Sequence, residues 1–65
     1  MKLIVNGEPT EIRADTLAGL LAELDYEGGW LATALNGEVV PAARRTACPL
    51  AEGDRIEILS PMKGG

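Results

Sequence analysis

The sequence predicts an α+β domain in which one helix lies across a single face of a β-sheet. Three observations predict it. Asn-Gly pairs at Asn6-Gly7 and Asn36-Gly37 each follow a largely apolar run. Such pairs accept the positive φ angles of a two-residue hairpin turn. Between the two hairpins, Leu17, Leu20, Leu21 and Leu24 recur at helical spacing, which makes one apolar stripe. Near the end, Arg55-Ile56-Glu57-Ile58-Leu59 alternates with the period of a half-buried strand.

The elements follow in order. Leu3-Ile4-Val5 forms the first strand and Thr10 to Arg13 the second, with Pro9 near its entry. Asp15 is expected as the helix N-cap, because a carboxylate accepts from the free N–H groups of a first turn. Gly19 costs the helix about 1 kcal/mol relative to Ala. It serves either a close approach to the sheet or no role beyond a tolerated surface glycine. Gly28-Gly29 ends the segment. Trp30 to Asn36 reads as the third strand, and Glu38-Val39-Val40 as the fourth, stopped by Pro41. Ala42 to Leu50 has no clean period and reads as a loop with one helical turn. Glu52-Gly53-Asp54 turns the chain into the last strand, giving the order ββαββ(loop)β. Residues 1–60 make one domain, and residues 61–65 a flexible tail with no packing pattern.

Composition narrows the function. A chain of 65 residues buries only ~60% of its unfolded surface and has no room for a deep pocket of ~300 Å³ or more. A binding module or carrier is expected rather than an enzyme. Ten acidic and six basic side chains give a net charge of −4, which argues against nucleic acid, since phosphates are bound by Lys and Arg. The single Cys48 and the lack of histidine exclude an internal disulfide, four-cysteine clusters, Cys/His zinc sites and His-based triads. No apolar run approaches the ~20 residues that cross a bilayer. The opening reaches its Asn-Gly turn too soon for a signal-peptide core. The expected setting is the reducing cytoplasm, without membrane attachment.

Gly64-Gly65 carries the most chemical information. Two glycines pack nothing and lose the most entropy on ordering, so they are either a frayed end or a slim tail. In the second case a partner's narrow channel admits the tail because no Cβ obstructs it. Pro61 stiffens the exit from the sheet. A free carboxylate resists nucleophiles; adenylation turns it into a mixed anhydride, and a sulfur donor displaces AMP to leave a thiocarboxylate. No phosphate-binding loop is present in the sequence, so the ATP site belongs to a partner.

The chain resembles the ThiS family, the ubiquitin-like β-grasp sulfur carriers of thiamine biosynthesis. The resemblance rests on Met1-Lys2-Leu3-Ile4-Val5-Asn6-Gly7-Glu8, the leucine helix after Asp15, Ala34-Leu35-Asn36-Gly37-Glu38-Val39-Val40-Pro41, Leu50 through Leu59, and Gly64-Gly65. It departs from the family at Ala42, where Arg often follows Val-Pro, and around Cys48. The resemblance implies a mixed four- to five-stranded sheet. It also implies that the chain is a co-substrate, not an enzyme. A ThiF-like adenylyltransferase adenylates Gly65 with its own ATP and magnesium, a cysteine desulfurase relay supplies sulfur, and thiazole synthase takes it from the thiocarboxylate. The chain itself binds no cofactor and no metal. Gly65 and Gly64 are then the reactive end, and Pro61, Met62 and Lys63 touch the partners. The alternatives are the small subunit of molybdopterin synthase, another sulfur carrier or a protein modifier joined to lysines through Gly65, and an interaction domain with an incidental Gly-Gly end.

Other residues carry expectations of their own. Leu3, Val5, Ile56 and Ile58 face the helix, so the alternation turns Ile4 and Leu59 to the opposite sheet face. There they are expected to form an apolar docking patch for the partner enzymes. Lys63 in Pro61-Met62-Lys63 stands too close to the end for the mid-domain Met-Lys hairpin of biotin and lipoyl carriers. Cys48 is expected as a small apolar packing residue, with activation by Arg44 and Arg45 as the alternative. Glu52, Asp54 and Glu57 read as a solvated acidic patch, and Trp30 as a packing residue at the core edge.

Overall fold

Asn-Gly pairs close both hairpins. The computed structural model describes residues 1–26 and 30–60. β1 (Lys2–Val5) passes into β2 (Glu8–Glu11) through Asn6 and Gly7, at φ 51° and 83°. β3 (Ala32–Leu35) passes into β4 (Glu38–Val40) through Asn36 and Gly37, at φ 50° and 88°. Positive φ at both central residues is the type I′ turn, whose twist matches that of the strands.

The second strand runs over Glu8–Glu11 rather than Thr10–Arg13, because so tight a turn starts the pairing at once. Pro9 therefore lies inside a strand, opposite Ile4. It is tolerated because β2 is an edge strand and because Ile4 and Pro9 fall between hydrogen-bonded pairs, where a β2 nitrogen points away from β1. The ladder extends one residue beyond β1 and β2: Ile12 N donates to Met1 O at 2.8 Å, and the Met1 amino group donates to Ile12 O at 2.7 Å.

β5 (Arg55–Leu59) completes a five-stranded mixed sheet of order β2-β1-β5-β3-β4. β5 runs parallel to β1 and antiparallel to β3. The first and last strands thus lie side by side in the middle of the sheet. α1 (Leu17–Glu23) covers one face with Leu17, Leu20 and Leu21, which pack with Leu3, Ile12, Ile56 and Ile58 in one buried cluster.

The helix starts one residue later than Asp15 suggests. Thr16 is extended, at φ −129° and ψ 160°, and its Oγ1 accepts from Gly19 N at 3.1 Å. A bridge to Pro49 holds Thr16 in that conformation, with Leu50 N donating to Asp15 O and Leu17 N to Cys48 O. Gly19 does allow a close approach, but to the entry loop: a Cβ there would lie 3.0 Å from Ala14 Cβ and 3.2 Å from Thr16 Oγ1. The same loop is pinned by Glu23, whose carboxylate accepts from Arg13 N at 3.1 Å and from Ala14 N at 2.9 Å.

The helix ends on its own cap, ahead of Gly28-Gly29, which lie outside the described residues. Asp25 takes φ 63°; Tyr26 N donates to Leu21 O and Asp25 N to Ala22 O. These are the paired bonds of a Schellman motif, with Tyr26 packed back on the core. The segment after Pro41 is a 3-10 helix, Ala42–Ala47, rather than a loop with a single turn. Its Arg45 is buried. Arg45 Nε donates to Thr33 Oγ1 at 3.0 Å and Nη2 to Leu31 O at 2.7 Å, while Thr33 Oγ1 donates to Val40 O at 2.8 Å. The guanidinium therefore ties the 3-10 helix to β3, and Thr33 relays the contact to β4. No described helix is long and apolar enough to cross a membrane.

Asp25 occupies a left-handed position that glycine adopts without steric cost. Asp25→Gly is expected to raise the unfolding free energy by about 0.5–1 kcal/mol, measured by urea denaturation; a loss of stability would show that the Asp25 side chain contributes more than its backbone strain costs.

Candidate functional site

β5 decides what the outer face of the sheet presents. Its alternation buries Ile56 and Ile58 under the helix and turns Arg55, Glu57 and Leu59 outward. Leu59, the last residue of the strand, is 68% exposed. The register sets its neighbours: Ala32 stands opposite Leu59, Ala34 opposite Glu57, and Val39 opposite Ala34. Val39 is 80% exposed. Together these side chains border a depression of about 100 Å³ floored by the two alanines.

The expected patch of Ile4 and Leu59 is thereby redrawn. Both residues do lie on the outer face, but Ile4 stands beside Arg55, four residues down the strand from Leu59, or about 13 Å away. Ile4 is half-buried and borders a separate hollow with Gly7, Arg55 and Glu57. The neighbours of Leu59 are Ala32, Ala34 and Val39 instead. Val39 was legible in principle, because the Asn36-Gly37 turn fixes Val39 opposite Ala34.

β5 outruns β1. Past Val5, the Asn6 side chain takes over the pairing, with Oδ1 accepting from Ile58 N at 2.8 Å. Asn6 thus serves both the hairpin turn and the outgoing end of β5. The described chain stops at Ser60, directly after the exposed Leu59. Pro61, Met62, Lys63, Gly64 and Gly65, all expected site residues, lie outside the described residues, as does the expected flexible tail.

Trp30 departs from its expected packing role. β3 starts at Ala32, not at Trp30, and Trp30 is 70% exposed. Because Ala32 faces Leu59, Trp30 lies at the same end of the sheet as the exit of the chain. Trp30, Val39 and Leu59 are the large exposed apolar residues among those described.

The remaining candidates have structural partners. Asp54 Oδ2 accepts from Ala51 N at 2.8 Å and Oδ1 from Asn36 Nδ2 at 3.1 Å, while Glu52 accepts from Lys2 N at 3.0 Å. These carboxylates hold the turn into β5, and Glu57 stands apart on the sheet. Among the described residues no three Cys, Asp or Glu side chains gather to hold a metal ion. Cys48 is half-buried and packs against the core, as expected of a small apolar residue, and Arg45 is committed to β3.

Comparison with known proteins gives a consistent set of likenesses. The model of the ThiS family matches residues 3–65. The sulfur carrier protein ThiS of Thermus thermophilus is 34% identical over 61 residues, covering 94% of this chain and 95% of that protein. A thiazole synthase of Paramagnetospirillum magneticum is 35% identical over 66 residues; the match takes in 100% of this chain but spans only 20% of the synthase. The crystal structure of ThiS from Geobacter metallireducens superposes with a TM-score of 0.83 at 33% identity, with 100% of both chains covered. The solution structure of a thiamine biosynthesis protein from the same organism gives 0.80 at 32% identity, covering 100% of this chain and 88% of that one.

The face assignment predicts opposite outcomes for adjacent substitutions. Ile58→Asp buries a charge against the helix, at a cost of several kcal/mol that a small domain does not survive. Leu59→Asp is expected to stay folded, within about 1 kcal/mol of the parent. Thermal unfolding followed by circular dichroism distinguishes the two; equal losses would contradict the assignment.

Proposed function

We propose that this chain, which belongs to the ThiS family and is a sulfur carrier protein of thiamine biosynthesis, carries its sulfur on the backbone carboxylate of Gly65. The observation that supports this reading is that the family match runs through Gly64-Gly65 to residue 65. The chain acts as a co-substrate in this reading. A ThiF-like adenylyltransferase supplies ATP and magnesium. A Gly65 carboxylate oxygen attacks the α-phosphorus, pyrophosphate leaves, and the carboxyl carbon becomes electrophilic. The outer sulfur of a persulfide, drawn from cysteine through a desulfurase relay, attacks the acyl carbon and displaces AMP. A second thiol of the relay then cleaves the resulting acyl disulfide, is itself oxidised to a disulfide, and leaves the thiocarboxylate on Gly65. Thiazole synthase then passes the sulfur to the thiazole precursor, an oxygen from that precursor or from water takes its place on the acyl carbon, and the carboxylate returns for another cycle.

Each part of the chain has a separate task. Gly64 and Gly65 are slim enough to enter two different active sites. Pro61 limits the directions in which the tail departs, and Met62 and Lys63 contact the partners along it. The outer sheet face docks first, through Leu59 and its neighbours, with Ile4 at the far side. An apolar patch directly upstream of the reactive end suits this order of events, because docking raises the local concentration of the carboxyl at the catalytic groups. The partnership with thiazole synthase draws support from the Paramagnetospirillum enzyme, a thiazole synthase whose own polypeptide includes a segment similar to this whole chain.

Deleting Gly65 is expected to abolish ATP–pyrophosphate exchange by the adenylyltransferase while leaving the unfolding midpoint unchanged, since the core cluster and the five strands are built from residues ahead of position 60. Exchange that persists in the truncated chain would contradict the assignment of the reactive group. Leu59→Asp is expected to slow the same exchange through weaker docking.

A further inference from the structure

We infer that thiazole synthase engages the outer sheet face with one apolar side chain next to one cation, the side chain entering the depression between β3, β4 and β5 and the cation meeting Glu57. This rests on the docking reading above and specifies the chemistry of the partner surface. The depression is shallow because Ala32 and Ala34 stop at Cβ, and its walls are Val39, Leu59 and the stem of Glu57. At about 100 Å³ it takes a single aliphatic or aromatic side chain.

Glu57 makes the site selective. It is exposed, stands in the middle of the outer face and borders three depressions among the described residues there. Among the described residues the ion pair present is that of the Met1 amino group with Glu11; Glu57 and Arg55 share a face without pairing. Among the described residues Glu57 is exposed, which leaves its carboxylate open to water. A partner that covered Leu59 and Val39 with apolar surface alone would strip that water and leave the charge uncompensated, a cost of several kcal/mol. A lysine or arginine beside the apolar side chain removes this penalty and rejects surfaces that lack it. The net charge of −4 draws the chain toward a basic surface in the same sense. The choice of occupant follows from the Paramagnetospirillum thiazole synthase, where a segment similar to all of this chain is tethered to the enzyme; tethering keeps the two faces at high effective concentration.

Binding of the full chain to thiazole synthase across a salt series, by calorimetry, tests the inference. Glu57→Lys is expected to raise Kd about tenfold or more at low salt and to weaken the salt dependence, and Glu57→Gln to raise it several-fold. Ala34→Leu, which fills the depression, is expected to weaken binding without lowering the unfolding midpoint. A Lys or Arg→Glu change on the synthase that restores binding of Glu57→Lys would establish the pair. If Glu57→Lys and Glu57→Gln bind like the parent while Leu59→Asp does not, the cation pairing is overturned and the docking face stands. If Leu59→Asp and Val39→Asp also bind like the parent, the docking reading itself is overturned.

Discussion

The parallel contact between β1 and β5 is the constraint on which the rest of the molecule depends. It brings the first strand of the chain beside the last, with Val5 opposite Ile56 and Ile4 opposite Arg55. Both hairpins then attach to this central pair, one through β1 and one through β5. Parallel strands need a crossover to join them, and the chain between β1 and β5 includes the helix that covers their apolar face. Leu3, Val5, Ile56 and Ile58 enter the core because of this pairing, and α1 packs Leu17, Leu20 and Leu21 with them.

Function follows from the same constraint. A strand paired on both sides is a firm base for the proposed reactive end, and β5 is paired with β3 as far as Leu59. On the β1 side the support ends earlier, and the Asn6 side chain supplies the final contact. The chain therefore leaves the sheet at a defined place, beside an apolar face that carries one carboxylate at its centre. In the proposed function, recognition and chemistry are separated along a few residues: β5 and its neighbours are read by shape and charge, and the glycines downstream by their slimness. A domain of this size has little stability in reserve. Its irregular segments are accordingly fastened by polar contacts, with Glu23 holding the helix entry, Asp54 the last turn and Arg45 the 3-10 helix.

The hairpins, the leucine stripe and the two faces of β5 were legible in the sequence because each depends on residues close together in the chain. Asn-Gly dictates a two-residue turn, and the turn dictates the register. What was not legible depended on contacts between distant residues. Thr16 rather than Asp15 caps the helix because Pro49 holds Thr16 extended. Arg45 is buried because Leu31 and Thr33 offer it oxygen acceptors, which nothing in the local sequence announces. Alternation told that Ile4 and Leu59 share a face, but not that the parallel register places Ile4 beside Arg55 and away from Leu59. Trp30 is exposed because β3 begins two residues after it, so sheet pairing does not reach it.

The most direct test of the account is the intact mass of the full chain after incubation with a ThiF-like adenylyltransferase, ATP, magnesium and a cysteine-derived sulfur donor. The account predicts a mass increase equal to the exchange of one oxygen for one sulfur, placed on Gly65 by fragmentation. An unchanged mass under conditions that charge another member of the family, or sulfur found on Cys48 instead, would contradict it.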